Sequence, residues 1–479
     1  MQYEAGYNKT VYEMIKKGKE AFGDSILFSY VRKGNIVEVT HNVFFDDVRK
    51  VAHCFAKRKL KNKYIVVEGN NEYEAIVAMC AAATMGAVPA VLNFDLPEEE
   101  IEYALERLQP ALVVCSEDDY EVVEEFVSKH KIEYVSEEVR EGESIGVWVK
   151  ETSVLYEPDE IQKPENPALV LMTSGSTSRS KLVQLSHYGY IPSVELLGER
   201  NMLLFPLYHV AGTMMVAGAI YKGVTLCLSN LRNGMRDAEW FQPTEIIAVP
   251  SFISAMVSRN KQNLFDMSGI KYVVSAGAPQ NPELTQYLNS KGIFSPSLYG
   301  ATETSGPVSY STLSEYRFGS IGKVGPWNEV KFSEAGEILV KGKNVMIEYI
   351  GDEKETQEAL KDGWYHTGDV GHMDEDGFLY VTGRIKNIII LSNGENVSPE
   401  AIEAQLSLCP EIAEVVVYGE GDVLTSHVWC GENADEQTKD RIEKYIAKYN
   451  RSVPSYRCIR KNIFKEQPFA KTASGKIKR

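Results

Sequence analysis

Leu171 to His187 read LMTSGSTSRSKLVQLSH, and the reading of this stretch decides the rest. Ala168–Met172 is an apolar run of strand length, followed at once by Thr173, Ser174, Gly175, Ser176, Thr177, Ser178, Arg179, Ser180 and Lys181. Few packing problems call for so many hydroxyls in one loop, whereas an anion does. Glycine lets the backbone approach closely, successive N–H groups form an anion-binding concavity, and hydroxyls and cations add donors. Ser, Thr and Gly also make ordinary polar loops, but the density of donors beside two cations favours phosphate. The Walker spacing is not met. Aligned at Gly175 it requires Gly at Ser180 and Ser or Thr at Leu182.

The chain has 479 residues, which predicts two to four domains at about 150 residues each. Lys plus Arg number 51 and Asp plus Glu 67, a formal charge of −16. That acidity argues against nucleic acid or an anionic membrane as the main partner, while leaving room for a cationic cleft. The seven cysteines are scattered without a C-x-x-C, so neither zinc nor a disulfide framework is indicated and a cytoplasmic location is expected. Met1 to Thr10 lacks an apolar run, so no signal peptide is expected. Ala75–Leu92 contains Thr84, Gly86 and Pro89 and reads as a buried Ala-rich helix, a turn and a strand rather than a membrane span.

Up to about Pro164 helical and strand-like runs alternate, predicting an α/β domain with a largely parallel sheet. Helices are expected over 11–22, 44–57, 72–85 and 97–108, and strands over 26–32, 36–40, 64–68, 88–92 and 111–115. A further strand is expected over 201–205, and three more over 245–249, 272–274 and 297–299 each lead into small or hydroxyl residues; ligands of open α/β sheets bind beyond such carboxyl ends. His209 at the strand–helix junction reads as a pocket wall rather than an acid–base group. Glu303 stands out beside a phosphate site, because a carboxylate there calls for a hard cation such as Mg2+. Asp369, between glycines, reads either as a turn residue bonding its own backbone or as an acceptor for a ribose diol. Ser398 and Pro399 fit the cap and first position of a helix inside a compact α+β unit of about the last ninety residues. The basic end, Lys471 to Arg479, reads either as a loose tail or as a loop bringing Lys476 to an anion.

TSGSTSRSK, PLYHVAG, SAGAP, YGATET, YHTGDVG, GRIKNIIILSNGENVSPEAIE and KTASGKIKR occur in that order. Together they resemble the adenylate-forming superfamily of acyl-CoA synthetases, nonribosomal-peptide adenylation domains and luciferases, over nearly the whole chain from about residue 20. The resemblance implies an N-terminal domain over 1–384, built of α/β-layered subdomains plus a small β-rich part, and a small mobile α+β domain over 385–479. It implies that Thr173, Ser174, Gly175, Ser176, Thr177 and Lys181 hold the ATP phosphates, and that Gly277, Ala278, Pro279, Tyr299 and Gly300 frame the adenine. Thr302 would touch the α-phosphate, Glu303 bind Mg2+, and Asp369 and Arg384 hold the ribose. Lys476 would be catalytic, Lys386 the hinge, and Gly394, Glu395 and Asn396 the turn facing the thiol. His209, Val210, Gly212 and Ser251 would line the acyl pocket. Departures from the family pattern are Ser178 for Gly, Ser180 for Pro, Leu182 for Gly and Asn393 for Gly, which bear on loop flexibility and rate.

The implied reaction joins a carboxylate to AMP, expels pyrophosphate, and passes the acyl group to a thiol. Coenzyme A is the expected thiol, with the phosphopantetheine of an acyl carrier protein as the alternative. Amino-acid-activating relatives carry an Asp where this chain reads Tyr208-His209-Val210, so an apolar or aromatic acid is expected rather than an α-amino acid. Among rivals, G-x-G-x-x-G is absent. G-x-S-x-G occurs only at Gly142–Gly146, where acidic residues precede it and Val147–Val149 reads as a strand, the wrong context for a nucleophile elbow. A nucleotide-binding relative without full activity is the remaining alternative, given the altered loop.

Overall fold

The computed structural model describes residues 10–137, 144–173, 180–190, 196–277, 282–392, 395–421, 423–432, 434–471 and 477. Two large sheets carry the first two thirds of the chain. The first orders Glu348–Tyr349, Lys181–Ser186, Pro167–Thr173, Val88–Leu92, Tyr64–Glu68, Leu112–Cys115 and Glu133–Ser136. From Pro167–Thr173 outward all neighbours are parallel. These strands are continuously apolar because helices cover both faces: Ile65, Val66 and Val67 are all fully buried. The second sheet orders Tyr272–Ser275, Glu245–Ala248, Arg200–Leu203, Thr225–Leu228, Ile26–Arg32 and Asn35–Thr40.

Local sequence sets most of these elements. Helix Val11–Phe22 begins at Thr10, which accepts from Glu13 N while the Glu13 carboxylate accepts from Thr10 N at 2.9 Å. Such caps contribute about 1 kcal/mol. Helix Tyr73–Met85 is buried on every face and ends at Gly86, ahead of strand Val88–Leu92, as its all-apolar composition requires.

Two expectations are corrected. The hairpin Ile26–Arg32/Asn35–Thr40 does not join the sheet of its sequence neighbours; Phe28 pairs in parallel with Leu226 of the second sheet. Residues Val147–Val149 lie in helix Ile145–Glu151, not a strand. Ser144 caps that helix, its hydroxyl accepting from Val147 N at 3.1 Å, so a helix start explains the serine.

Smaller sheets follow. Leu298–Ala301, Gly306–Tyr310 and Lys323–Val324 form one, and Asn328–Phe332, Glu337–Gly342, Tyr365–Met373 and Leu379–Arg384 form an antiparallel four-stranded one. Beyond it, Glu414–Glu420, Val423–Trp429 and Ile459–Lys465 make a three-stranded sheet. It shares a core of Leu391, Ile402, Leu406, Val417, Ile442 and Ile446 with helices Pro399–Leu406 and Glu436–Ser452. Ser398 caps the first of these helices and Pro399 opens it, as the sequence predicts. All seven cysteines are free thiols. No helix among the described residues is long and apolar enough to cross a membrane.

Glu245 opens a central strand and is completely buried. One carboxylate oxygen accepts from Leu197 N and Gly198 N, both at 2.8 Å, and the other has no hydrogen-bond partner. Burial pushes its carboxyl up to about 7, against the pull of those two amides. The folded value lies above the ordinary 4.5, so the folded chain holds the extra proton across that interval. Stability therefore falls as pH rises from 4.5 to 7 and stays lower above it. Glu245→Gln removes the ionisation. Its unfolding free energy relative to the native protein should rise by of order 2–3 kcal/mol between pH 5 and pH 8. Denaturant titrations across pH measure this, and a pH-independent difference is the contrary result.

Candidate active site

The hydroxyl-rich loop joins Pro167–Thr173 to Lys181–Ser186, with Thr173 paired to Lys181 across the antiparallel ladder. It is a hairpin at the tip of two strands. Ser174, Gly175, Ser176 and Thr177 lie outside the described residues, so the structure places only the loop's two ends. At the second end Ser180 N donates to Glu100 Oε2 at 3.3 Å, and Leu182 is buried in the core. Two of the departures noted above thus have local structural roles: a backbone anchor that proline could not supply, and a core side chain.

Register brings the next group in. Tyr349 pairs with Val183, beside the hairpin's second strand, which sets its ring 4.5 Å beneath Lys181 Nζ. Lys181 Nζ also lies 2.5 Å from Glu355 Oε2. Tyr349 donates its hydroxyl to Glu303 Oε1 at 2.9 Å. Burial, then the Glu303 charge, pushes that phenol upward, so it is a hydrogen donor at neutral pH. Glu303 sits in the turn Thr302–Thr304, whose backbone is fastened by Met346 N donating to Glu303 O at 2.7 Å. Thr302 is half-buried in the same turn.

The turn follows Leu298–Ala301, and here the expectation of three parallel strand ends is corrected. Glu245–Ala248 and Tyr272–Ser275 are parallel neighbours, but Leu298–Ala301 pairs antiparallel with Gly306–Tyr310 in a separate sheet. Among the described residues, the chain just before it is joined to the parallel sheet by the isolated bridges Tyr272↔Phe294 and Ser275↔Ser297. Pro296 lies between those bridges and has no N–H to give to a ladder. Gly300 is obligatory: a Cβ there would lie 2.0 Å from Gly306 O. Gly277, after Tyr272–Ser275, has φ +85°, a conformation that favours glycine. Ala278 and Pro279 lie outside the described residues.

Asp369 is not in a turn. It lies in strand Tyr365–Met373, directly opposite Arg384 of Leu379–Arg384. The carboxylate accepts from Tyr299 Oη at 2.8 Å and pairs with Arg384 Nε at 2.7 Å, so its side chain faces outward to two partners rather than bonding its own backbone. Burial and the Asp369 charge raise Tyr299 well above the ordinary phenol value. Burial, and after it the Glu303 charge, raise the phenol of buried Tyr365 well above its ordinary value. The sequence reading gave no role to Tyr349 or Tyr365. Only the tyrosine of the YHTGD run hinted at one, and Tyr349 had no signal at all.

Lys386 follows in the turn Ile385–Asn387. Burial pushes its ammonium down, the cations Arg384 and Lys181 push further, and Asp369 pulls back. His209 caps helix Val210–Lys222, its Nδ1 accepting from Ala211 N at 3.1 Å, and stacks on Phe205 at 5.0 Å. Val210 and Gly212 occupy the first turn of that helix, and Ser251 is exposed in the first turn of Pro250–Lys261. Glu395 and Asn396 are exposed beside the short pairing of Ile389–Ile390 with Asn396–Val397. Gly394 and Lys476 lie outside the described residues.

Comparison with known proteins bears on the family and the fold. The AMP-binding enzyme model matches residues 16–350, and the AMP-binding enzyme C-terminal domain model matches 386–479. A 2-succinylbenzoate–CoA ligase of Bacillus cereus is 30% identical, the match covering 85% of this chain and 86% of that protein. A long-chain-fatty-acid–CoA ligase of Mycobacterium bovis is 27% identical over 87% of this chain and 81% of its own. The fold is that of an anthranilate CoA ligase solved with anthranoyl-AMP, at a TM-score of 0.86 and 18% identity, covering 100% of this chain and 97% of that one. It is also that of the Bacillus subtilis o-succinylbenzoate coenzyme A synthetase solved with ATP and magnesium, at 0.79 and 22%, covering 98% and 99%. With its main and C-terminal domains both matched, the chain belongs to the AMP-binding enzyme family.

Proposed function

We propose that this chain activates a carboxylic acid with ATP to an acyl-adenylate and then transfers the acyl group to a thiol, coenzyme A in the first instance. One observation carries the reading: Asp369 is held by Tyr299 and Arg384, and Glu303 is held by Tyr349, whose ring lies beneath Lys181. That set provides an acceptor for a ribose diol and a cation and a carboxylate, joined by Tyr349, at the base of the hydroxyl-rich loop.

The roles follow from chemistry. Lys181 and the donors of 173–177 take the β,γ-phosphates, and Thr302 lies toward the α-phosphate. Gly277, Ala278, Pro279 and Tyr299 flank the base, while Asp369 and Arg384 take the ribose. Glu303 suits Mg2+, since one carboxylate with substrate phosphates is the usual protein share of such a site; no cluster of three or more metal-binding side chains occurs among the described residues. When bound there, the ion would neutralise charge on the phosphates. Two anions must be brought together, so orientation and charge neutralisation dominate the rate. Lys476 bridges the carboxylate and the α-phosphate as a point charge. Rotation at Lys386 then withdraws Lys476 and brings Gly394, Glu395 and Asn396 to the thiol side.

The acid is apolar or aromatic, supported by Val210 and Met214 and by the lack of a carboxylate at Tyr208–Val210 to pair an ammonium. An acyl carrier protein is the second candidate for the thiol. The domain division near residue 384 and a cytoplasmic setting belong to the same reading; seven free thiols fit a reducing compartment.

Pyrophosphate release with ATP and a panel of carboxylic acids tests the activity; no release with any acid rejects it. Lys476→Ala should abolish adenylation while largely sparing thioester formation from supplied acyl-adenylate, and equal loss of both half-reactions in a folded variant refutes the two-state scheme. Lys386→Pro, which bars helical geometry at Ile385, should spare adenylation and block thioester formation. Stopped-flow assays of the two halves read the split, and uniform loss removes the hinge assignment.

A further inference from the structure

Lys181 closes the hydroxyl-rich hairpin, and its ammonium is already engaged by the chain itself. Nζ lies 2.5 Å from Glu355 Oε2 and 4.5 Å from the centre of the Tyr349 ring. Glu355 stands in the first turn of helix Glu353–Ala359, where its own N–H donates to Asp352 Oδ1 at 3.1 Å. Its backbone is thereby fixed, while its carboxylate, 45% exposed, remains free to turn; Lys181 is 29% exposed. Tyr349 links this pair to Glu303, so Glu355, Lys181, Tyr349 and Glu303 form one continuous series.

An ion pair this exposed is worth no more than about 1 kcal/mol, so it exchanges readily. Lysine is a compact charge on a flexible stem and swings between anions. A phosphate chain entering the hairpin competes with Glu355 for the same ammonium, and any phosphate oxygen that reaches Nζ also meets the Glu355 charge. Resting on the ligase reading above, we infer that Glu355 is the resident counter-ion of Lys181: it holds the ammonium between turnovers, yields it to the β,γ-phosphates, and takes it back as pyrophosphate leaves. No bond is made or broken, and Lys181 stays an ammonium throughout. Glu355 thus weakens ATP and pyrophosphate alike and hastens release of the inorganic product. It is a positioning residue, acting through Lys181.

The test is calorimetric titration of the full chain with magnesium–ATP and, separately, with magnesium–pyrophosphate. Glu355→Gln should tighten both by roughly two- to five-fold, Glu355→Asp should stay near the native value, and product inhibition by pyrophosphate should deepen in the Gln variant. In a Lys181→Ala background the Glu355→Gln effect should vanish, since the coupling runs through the ammonium. Weaker binding by Glu355→Gln would make Glu355 a mere support for Lys181 and overturn the inference. Unchanged binding, or equal tightening in the Lys181→Ala background, overturns it as well. Native protein that binds neither ligand defeats the ligase reading and this inference together, whereas ATP binding indifferent to Glu355 defeats the inference alone.

Discussion

Asp369 has to be held at one point in space by residues that lie far apart in the chain, and the site depends on that constraint. Tyr299 comes from one small sheet and Arg384 from the last strand of another. Antiparallel register sets Arg384 directly opposite Asp369, so the ion pair is built by the ladder rather than by side-chain search. Two residues further on stands Lys386, already in the turn Ile385–Asn387. The pair therefore ties Tyr299 to the segment just before residue 386, where the C-terminal domain match begins. Under the proposed function, the residue that would hold the ribose would also brace the point of rotation.

The phosphate side obeys the same logic with different parts. A Walker loop places a helix N-terminus behind its anion; here the hydroxyl-rich segment joins two antiparallel strands, and strand register sets the groups at its described ends. Because Tyr349 pairs with Val183, the ring under Lys181 and the donor to Glu303 are one side chain. Tyrosine suits this post. Its ring face attracts the ammonium while its hydroxyl orients a carboxylate, two jobs that phenylalanine or histidine could not combine.

Much of this was legible in the residues, and the boundary of legibility is physical. Helix Val11–Phe22 and strand Tyr64–Glu68 are set by capping, periodicity and β-branched runs, all local, and the sequence reading has their bounds. Asp369, Arg384, Glu303 and Lys181 were singled out by residue type within motifs, and the structure pairs Asp369 with Arg384 and links Lys181 to Glu303 through Tyr349. Long-range pairing was not legible. Nothing in Ile26–Arg32 says that its partner is Thr225–Leu228, or in Glu348–Tyr349 that it completes the other sheet. Strand Ile459–Lys465 went unread because Arg460 and Lys461 are exposed and break its apolar alternation. Val147–Val149 looked extended by propensity, but the Ser144 cap and Trp148 packing on Phe55 made it helical. Residue composition at the acid-facing end indicates size and polarity there, not the identity of the acid.

The early hairpin that crosses to the second sheet bears on how the chain is assembled. Phe28 and Ser29 wait for Leu226 and Cys227, roughly 200 residues downstream. At ribosomal speeds of about 5–20 residues per second that is a delay on the order of 10–40 s. During it Asn35–Thr40 protects only one edge of Ile26–Arg32, leaving the other edge without its native partner, while Phe44 and Tyr73 are already at hand to cover Phe28. Closing so large a loop is slow, so the order of synthesis and the order of folding part company at the start of the chain.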